Sequence, residues 1–361
     1  MENEDVNDIV VELSSGVGRV TLNRPKALNA LTLDMIRELT AVLLAWRSDA
    51  SVKAVAIRGE GRQGPFGAFC AGGDIRFFHQ AALAGDPRLE DFFTEEYSLN
   101  HLAHGLGKPL IAFMDGVVMG GGMGIAQGAS LRIATERTKM AMPETNIGLF
   151  PDVGGGFFLG RCPGRIGEYL ALTGHVISGA DAGAVGLADA VVDSAQLAPL
   201  WAELAGGAVP TLSRLQQVDA APASTLVSYR AAIDRFFALP TVLDIVAALE
   251  ADASEWAAET AAVLRKRSPL MLHVVLEQVR RGRESSLADD LRMERGLVRN
   301  CFHLRPGTAS ETVEGIRALA VDKDHSPRWN PARIEDVTPG MVAAFFEPPW
   351  PPHAHPLRHL V

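Results

Sequence analysis

The sequence predicts an α/β fold over residues 1–205, followed by an all-helical part over residues 206–361. Short β-branched runs alternate with amphipathic segments in the first part, which is typical of layered strands and helices. Glycine clusters between positions 59 and 186 and is sparse beyond them. From about residue 205 onward, helical periodicity dominates and prolines separate the segments. We therefore place the boundary near Gly206 and Gly207.

The first predicted elements are two strands and a helix. Residues 11–14 and 18–23 read as paired strands joined by Ser15-Gly16-Val17. Thr32 is a suitable N-cap for a helix. The apolar residues that follow it recur at helical spacing: Met35, Leu39, Val42, Leu43 and Trp46.

Further strands and helices follow in order along the chain. Strands are predicted at residues 52–58, 109–113 and 131–134. The C-terminal part contains five helical segments, at residues 215–239, 242–249, 255–266, 270–281 and 287–301. The tail from Pro348 is rich in proline and histidine, and we expect it to be poorly ordered.

Composition excludes several classes of protein. Of 361 residues, 47% are apolar, so the chain has the composition of a folded globular protein rather than a disordered one. Lysine and arginine number 34 against 43 acids, a formal net charge of −9, which disfavours nucleic-acid binding and attachment to an anionic membrane surface. No apolar stretch is long enough for a transmembrane helix.

The cysteines and the chain start bear on the cellular compartment. Cys70, Cys162 and Cys301 are odd in number and contain no C-x-x-C pair, which excludes a disulfide framework and a cysteine-based zinc site. The acidic start, residues 1–5, lacks the pattern of a targeting segment. We therefore expect a cytoplasmic protein. The tail histidines His353, His355 and His359 are not expected to form a metal site, so we expect none.

Four common motifs of nucleotide-binding proteins, serine hydrolases and zinc proteases are missing from the sequence. Gly107-Lys108 lacks the upstream glycine of a P-loop, and Gly122-x-Gly124 lacks the third glycine of a dinucleotide fingerprint. No G-x-S-x-G nucleophile elbow and no H-E-x-x-H zinc motif occur.

Three glycine-rich segments are the strongest candidates for chemistry: residues 69–74, 115–124 and 142–156. Glycine lets bare backbone approach a ligand, and N–H groups from two loops can converge on a developing oxyanion. The alternative for each segment is a structural turn.

Three acids stand out. Glu144 and Asp152 each follow a proline in irregular, apolar sequence, where desolvation would raise a carboxyl pKa and suit acid–base chemistry. The alternative is that both are solvated loop acids. Glu96 interrupts a helical face formed by Leu89, Phe92, Leu99 and Ala103, so it needs a partner or a polar cavity unless it lies at the edge of that face.

These segments, together with residues 24–31, resemble in order and spacing the enoyl-CoA hydratase/isomerase (crotonase) superfamily. The resemblance covers residues from about 10 to 200. It implies a crotonase-type ββα spiral core that contains the active site. It also implies that coenzyme A is bound by Lys26, Ala27, Leu28, Ala71, Gly72, Asp74 and Ile75.

A more specific pattern resembles the 3-hydroxyisobutyryl-CoA hydrolases within that superfamily. It comprises residues 95–97, 119–122, 142–156, 314–318 and 322–329, so it covers nearly the whole chain. It implies hydrolysis of a short 3-hydroxyacyl-CoA, 3-hydroxyisobutyryl-CoA or its close relative 3-hydroxypropionyl-CoA, to the free acid and coenzyme A. That reaction belongs to valine breakdown.

One departure from the hydratase pattern supports this assignment. Hydratases of this fold carry a second catalytic carboxylate two residues after the glycine triplet, where this chain has Gly124. Conversely, Asp152 lies where hydratases usually have a small residue. We interpret the loss of one acid and the gain of another as a change of reaction.

The resemblance also implies roles for the site residues. Gly73 and Gly121 would form the oxyanion hole, and Glu144 would activate water or attack the carbonyl carbon itself. Asp152, the second predicted catalytic residue, would receive the substrate hydroxyl or help to position Glu144 and water. Substrate would contact Glu96, Gly121, Glu144 and Asp152. Coenzyme A is part of the substrate, and no separate cofactor is expected.

Two other functions remain open at this point. One is an enoyl-CoA hydratase or isomerase that uses Glu144 alone on a short-chain acyl-CoA. The other is a non-catalytic binding protein on the same fold, which the presence of Glu144 and both glycines disfavours. The expected partner is the acyl-CoA substrate, with no nucleic acid and no membrane; the alternatives of monomer and homo-oligomer stay open.

Overall fold

The computed structural model describes residues 7–217 and 224–361. These fall into two compact units. The first takes the described residues within 1–73, 98–140 and 177–227, and the second takes residues 74–97, 141–176 and 228–361. The chain therefore contributes several segments to each unit, and this division differs from a single boundary at residues 205–206. The acidic residues 1–5, which we predict not to be a targeting segment, lie outside the described residues.

The strands are short and all lie before residue 193 in the described chain. They are β1 Ile9–Ser14, β2 Val17–Leu22, β3 Ala54–Gly61, β4 Gly64–Pro65, β5 Ala68–Cys70, β6 Leu110–Met114, β7 Val117–Met119, β8 Leu131–Thr135, β9 Lys139–Ala141, β10 Ile177–Ser178 and β11 Ala190–Val192.

The strands form two sheets. The larger has the order β1-β2-β3-β6-β8-β11, with β4 added to β3, and the smaller has the order β10-β9-β7-β5. In the larger sheet only β1 and β4 pair antiparallel to their neighbours, and the pairs from β2 to β11 are parallel. Parallel pairing requires crossover connections, which here include helices.

The opening hairpin confirms the predicted turn. Ser14 pairs with Val17, and the two residues between them, Ser15 and Gly16, have φ angles of +49° and +77°. Two consecutive positive φ angles define the type I′ turn, whose twist matches that of the strands it joins. The second strand therefore begins at Val17, one residue before the predicted start.

One face of the larger sheet forms a buried core. Alternate residues of four strands point to this face, as the two-residue period of a strand requires. The strand residues are Ala54, Ala56, Ile111, Phe113, Leu131, Ile133, Ala190 and Val192. A helix covers them with Leu197, Trp201 and Leu204.

The described helices occur in both units. They are α1 Leu33–Ser48, α2 Ile75–Ala84, α3 Arg88–His104, α4 Gly121–Gln127, α5 Gly155–Gly160, α6 Ile166–Thr173, α7 Gly179–Ala184, α8 Leu197–Ala205, α9 Thr225–Phe237, α10 Val242–Ala251, α11 Glu255–Leu264, α12 Pro269–Gly282, α13 Leu287–His303, α14 Glu311–Ile316 and α15 Pro339–Phe346. Thr32 caps α1 by accepting a hydrogen bond from the Met35 N–H, as predicted.

The C-terminal helices match four of the five predicted segments, but the first is shorter than predicted. Helix α9 begins at Thr225 rather than at residue 215, and residues 218–223 of the predicted segment lie outside the described residues. Leu215 has a ψ of 134°, which is extended backbone. None of the helices in the described chain is long and apolar enough to cross a membrane.

The expectation of a poorly ordered tail was wrong. Leu357 and Leu360 are buried, and the carbonyl of Leu360 accepts a hydrogen bond from Arg292 on α13. The Trp350 ring lies 4.9 Å from the Arg295 guanidinium, within the range of a cation–π contact. Composition suggested a flexible tail, but two leucines and a tryptophan suffice to dock it.

Candidate active site

Two glycine turns lie side by side in the first unit. Strand β5 ends at Cys70 and leads into Gly72 and Gly73, and β7 ends at Met119 before α4. A Cβ placed on Gly72 would lie 3.2 Å from the carbonyl oxygen of Met119 and 3.3 Å from the nitrogen of Gly121. Gly72 also has φ +99°, which side-chain-bearing residues rarely adopt. The structure therefore brings together the two loops predicted to hold an oxyanion.

The glycines at the start of α4 have different structural roles. Gly120 is the N-cap with φ +50°, so Gly121 provides the first helical N–H, which has no carbonyl one turn earlier in the helix. A Cβ on Gly122 would lie 2.4 Å from the carbonyl oxygen of Cys70, so this position admits only glycine. Position 124, inside α4, is also glycine, and the helix offers no carboxylate there.

The predicted coenzyme A loop lies against the first glycine turn. Pro25–Ala27 forms a 3₁₀ turn, and Leu28 follows with φ +52°. The N–H of Ala71 donates a 3.0 Å hydrogen bond to the carbonyl of Leu28, and the N–H of Leu31 donates one of 2.8 Å to Gly72. Lys26 and Ala27 are exposed. The structure thus brings Leu28 beside Ala71, and Lys26 and Ala27 lie in the turn just before Leu28.

Asp74 and Ile75 have a local structural role as well. Asp74 is the N-cap of α2, where its side chain accepts a hydrogen bond from the Phe77 N–H, and Ile75 is the first residue of that helix. Their predicted contact with coenzyme A stays a prediction.

Glu144 lies on a short turn in the second unit. Residues Glu144–Ile147 form a 3₁₀ turn that ends at Gly148, whose φ of +64° suits glycine. The side chain is 7% exposed, and its Oε2 atom is buried without a hydrogen-bond partner among the residues that the structure describes. Burial raises the pKa of Glu144 well above its usual range, and the nearby Asp152 raises it further.

Helix α14 holds that turn in place. The Thr312 hydroxyl donates a 2.7 Å hydrogen bond to the carbonyl of Gly148. A Cβ on Gly315 would lie 2.3 Å from the carbonyl carbon of Ile147, so the helix approaches the turn closely only because this residue is glycine. The C-terminal motif at residues 314–318 therefore supports the backbone that carries Glu144.

Asp152 is buried beside a tyrosine. The Tyr97 hydroxyl donates a 2.8 Å hydrogen bond to Oδ2 of Asp152. Asp152 is 5% exposed and Tyr97 is fully buried. Burial raises the pKa of Asp152 to about 7, although the Tyr97 hydrogen bond acts in the opposite direction.

Glu96 is the third acid of this cluster. It is 2% exposed, and its Oε1 atom has no hydrogen-bond partner in the part of the chain described. Burial raises its pKa well above the usual range, and repulsion from Asp152 and then Glu144 adds to the effect. The other members of its helical face, Leu89, Phe92, Leu99 and Ala103, are all buried, so Glu96 does not lie at the edge of the face.

The three acids are therefore neither solvated nor neutralised by basic groups. None of the larger influences on their pKa values comes from an arginine, lysine or histidine. Burial raises the pKa of all three carboxyl groups, and a carboxyl group with a raised pKa is suited to proton transfer. Among the described residues, no cluster of three or more His, Cys, Asp or Glu side chains is arranged to hold a metal ion.

The third glycine-rich segment does not leave its N–H groups free for a ligand. Two acids from α13 take them up: Glu294 accepts from Gly154 at 2.7 Å and Gly156 at 3.0 Å, and Asp290 accepts from Phe157 at 2.7 Å. The N–H of Gly155 donates to the carbonyl of Asp152 at 2.7 Å.

No catalytic or binding role is predicted from the sequence for Tyr97, Asp290 or Glu294. The available signal for the two α13 acids was the same as for Glu96. Asp290 and Glu294 lie at i and i+4 within a helical stripe that is otherwise apolar: Leu287, Leu291, Leu297, Val298 and Cys301. Tyr97 was included in the resembling pattern at residues 95–97, but that pattern gave it no role of its own.

Comparison with known proteins extends these observations. Residues 17–346 match the family model described as enoyl-CoA hydratase/isomerase. The chain is 39% identical over 356 residues to "3-hydroxyisobutyryl-CoA hydrolase, mitochondrial" of Danio rerio, covering 96% of this chain and 91% of the relative. It is 38% identical over 341 residues to the protein of the same name from Homo sapiens, covering 92% and 86%.

Solved structures match over the same length. A Rhodobacter sphaeroides protein titled an enoyl-CoA hydratase has a TM-score of 0.87 at 39% identity, covering 95% of this chain and 98% of its own. A Mycobacterium thermoresistibile protein titled a carnitinyl-CoA dehydratase has a TM-score of 0.86 at 39% identity, covering 97% and 98%. The predicted crotonase-type core with a helical extension is confirmed, and the chain belongs to the enoyl-CoA hydratase/isomerase family.

Proposed function

We propose that this protein hydrolyses 3-hydroxyisobutyryl-CoA to 3-hydroxyisobutyrate and coenzyme A. The observation that carries the proposal is the acid cluster: Glu144 lies near Asp152, which Tyr97 holds, while position 124 offers no second carboxylate. A hydratase needs an acid–base pair that adds water across a carbon–carbon double bond. A thioesterase needs one base and a site for the oxyanion.

The relatives supply the substrate in this proposal. Curated proteins from fish, bird, plant and mammal that match over about nine-tenths of the chain carry the name 3-hydroxyisobutyryl-CoA hydrolase. These proteins are 38–39% identical to this chain, and the matches cover 92–96% of it.

The proposed reaction begins at the thioester carbonyl. Its oxygen accepts hydrogen bonds from the N–H groups of Gly73 and Gly121. These hydrogen bonds strengthen as the oxygen becomes an anion. The support for this assignment is the close approach of the two glycine turns. Each such donor contributes about 2.7–4 kcal/mol to transition-state stabilisation.

Glu144 acts on the carbonyl carbon by one of two routes. As a base it takes a proton from water while the water oxygen bonds to the carbon, and the C–S bond then breaks. As a nucleophile its oxygen forms a mixed anhydride and releases the thiolate, and water then cleaves the anhydride. In both routes coenzyme A leaves as a thiolate, which needs little protonation because thiols have a pKa of roughly 8.5.

Asp152 and Glu96 recognise the substrate hydroxyl in this proposal. A buried carboxyl without a full set of hydrogen bonds is a strong acceptor or donor for such a group. Coenzyme A enters only as part of the substrate, and the proposal includes no separate cofactor. The cytoplasmic location and the absence of membrane and nucleic-acid partners stay predictions.

Hydration of an enoyl-CoA is the second candidate, because two solved structures of similar fold are titled a hydratase and a dehydratase. A thiol-release assay over a panel of acyl-CoA thioesters separates the two. We expect free thiol from 3-hydroxyisobutyryl-CoA and 3-hydroxypropionyl-CoA, and no loss of the conjugated double bond of crotonyl-CoA. Hydration of crotonyl-CoA without thiol release would establish the second candidate instead.

A further inference from the structure

The backbone turn that follows Asp152 is strained. Val153 has φ +55° and Gly154 has φ +89°. Valine is β-branched, and a positive φ at such a residue is a true outlier that strains the backbone. A conformation of this kind persists only where the surrounding structure holds it.

Glu294 supplies most of the contacts that hold this turn. Both of its carboxyl oxygens are used: Oε2 accepts from the Gly154 N–H and Oε1 from the Gly156 N–H. Gln278 on α12 ties the same carboxyl to the other side of the turn, because its Nε2 donates to Oε1 of Glu294 at 3.0 Å and to the carbonyl of Pro151 at 2.6 Å. The backbone on both sides of Asp152 is therefore fixed to the hydrogen-bonded pair of Glu294 and Gln278.

Asp290 completes the clamp one turn earlier on α13. It accepts a 2.7 Å hydrogen bond from the Phe157 N–H, and its charge adds to the effect of burial in raising the pKa of Glu294. Both side chains are fully buried.

We propose that Glu294 is a positioning residue for Asp152: it fixes the strained turn at Val153 and Gly154 and so directs the Asp152 carboxyl toward Tyr97. This inference rests on the proposed function in one respect, the role of Asp152 in recognising the substrate hydroxyl. Glu294 itself acts only through the turn.

The test uses Glu294→Gln, which keeps the size of the side chain but replaces one acceptor oxygen with an N–H₂ group that faces a backbone donor. Misplacement of a site group by about 1 Å can cost roughly 100-fold in rate. We expect kcat/KM for 3-hydroxyisobutyryl-CoA to fall at least about 10-fold more than kcat/KM for isobutyryl-CoA. In a crystal structure of the variant, we expect the Tyr97–Asp152 distance to exceed hydrogen-bonding range.

The matched control is Asp289→Asn, a substitution at the exposed neighbour of Asp290. Asp289 pairs with Ser286 and Arg292. The substitution should leave both rates unchanged. If Glu294→Gln does not fold, Gln278→Met removes the donor to Pro151 and Glu294 while keeping an unbranched side chain. It should shift the ratio of the two rates in the same direction.

The alternative is that Glu294 only stabilises the fold. In that case the active fraction falls, both substrates lose the same factor, and the Tyr97–Asp152 bond is intact in the variant; that result overturns the inference. If the wild-type protein cleaves neither thioester, the proposed function is wrong, and the Tyr97–Asp152 distance in the variant still decides whether Glu294 positions Asp152.

Discussion

The Tyr97 hydroxyl donates a 2.8 Å hydrogen bond to Oδ2 of Asp152, and both side chains are buried. The bond stabilises the charged form of Asp152, whereas burial destabilises it. Burial is the larger effect, so the pKa of Asp152 rises to about 7 rather than remaining near 4. Tyr97 therefore limits this rise and orients the acid with a single contact.

Tyr97→Phe removes that contact and leaves the ring in place. Without the donor, the pKa of Asp152 should rise above about 7, so less of it is ionised at neutral pH. A hydrogen bond to a charged group contributes about 1.5–3 kcal/mol, which predicts a loss of roughly 10-fold or more in kcat/KM for 3-hydroxyisobutyryl-CoA. Steady-state thiol release at pH 7 measures this loss. An unchanged kcat/KM in the variant would show that Tyr97 does not contribute to the reaction.

Glu144→Gln tests the central acid. The amide keeps the shape of the side chain but can neither accept a proton nor attack carbon, so kcat should fall at least about 100-fold. Glu38→Gln makes the same substitution on the exposed face of α1 and should retain full activity. Near-normal turnover by a folded Glu144→Gln variant would assign the chemistry to another group.

Local sequence pattern predicted the part of this site that depends on local structure. Thr32 as a cap, the turn at Gly16 and Glu96 on a buried face all follow from spacing within one or two turns of chain. The order and spacing of the glycine-rich segments indicated the resemblance to a known superfamily, and that resemblance supplied the expected role of each segment.

Long-range pairing was not predictable in the same way. Gly154 and Glu294 are 140 residues apart, and Tyr97 and Asp152 are 55 apart. Spacing within one helix indicates that an acid such as Glu294 is buried, but not which backbone N–H groups it meets. The prediction of a poorly ordered tail failed for a related reason. The partners of Leu360 and Trp350 lie on α13 and not in the tail itself.

The pH dependence should report the repulsion between Glu144 and Asp152. Glu144 must be ionised to act, and its pKa is raised, so activity should fall with decreasing pH well before an ordinary carboxyl would titrate. Asp152→Asn removes one source of that rise. Although the variant is slower, its acidic limb should move to lower pH in a plot of kcat/KM against pH.

The other titratable groups near Glu144 affect how a shift of the acidic limb is interpreted. Glu96 also interacts with Glu144 and is unchanged in the variant, and Tyr97 titrates above the range of interest because burial raises its pKa. Asp289→Asn, on the exposed side of α13, should leave the limb in place. An acidic limb at the same pH in Asp152→Asn and in the wild type would show that the two acids do not interact during turnover.

Glu96 should reduce the stability of the protein at neutral pH. Its pKa is higher in the folded chain than in the unfolded one, so the folded state binds more protons and stability falls as pH rises above the unfolded value of about 4.3. Glu96→Gln removes this penalty. The melting temperature should rise at pH 8, by about 2–4 °C for each kcal/mol recovered in a domain of ordinary size, and change little at pH 4.5.

The comparison of the two pH values separates this effect from packing. A substitution that merely fills space better would raise the melting temperature equally at both. Glu38→Gln serves as the control, since it alters an exposed acid and should shift neither value. A Glu96→Gln variant that is less stable at pH 8 than the wild type would mean that Glu96 has a stabilising partner.

Recognition of the substrate hydroxyl distinguishes a 3-hydroxyacyl-CoA hydrolase from a general thioesterase. A site that hydrogen-bonds a hydroxyl rejects the analogue without it, because the polar groups of the site would then be left unpaired in a buried space. We therefore expect kcat/KM for isobutyryl-CoA to be at least about 100-fold lower than for 3-hydroxyisobutyryl-CoA. Thiol release from the two thioesters, measured side by side, gives the ratio.

Asp152→Ala should remove most of that preference, because it deletes the carboxyl that Tyr97 orients and leaves only Glu96 to meet the hydroxyl. Gly124→Glu provides the complementary test: it places a carboxylate in α4 where hydratases of the fold have one, yet Asp152 is retained, so crotonyl-CoA should still not be hydrated. Equal rates on both thioesters in the wild type would show that neither acid recognises the hydroxyl. The protein would then be a general acyl-CoA thioesterase.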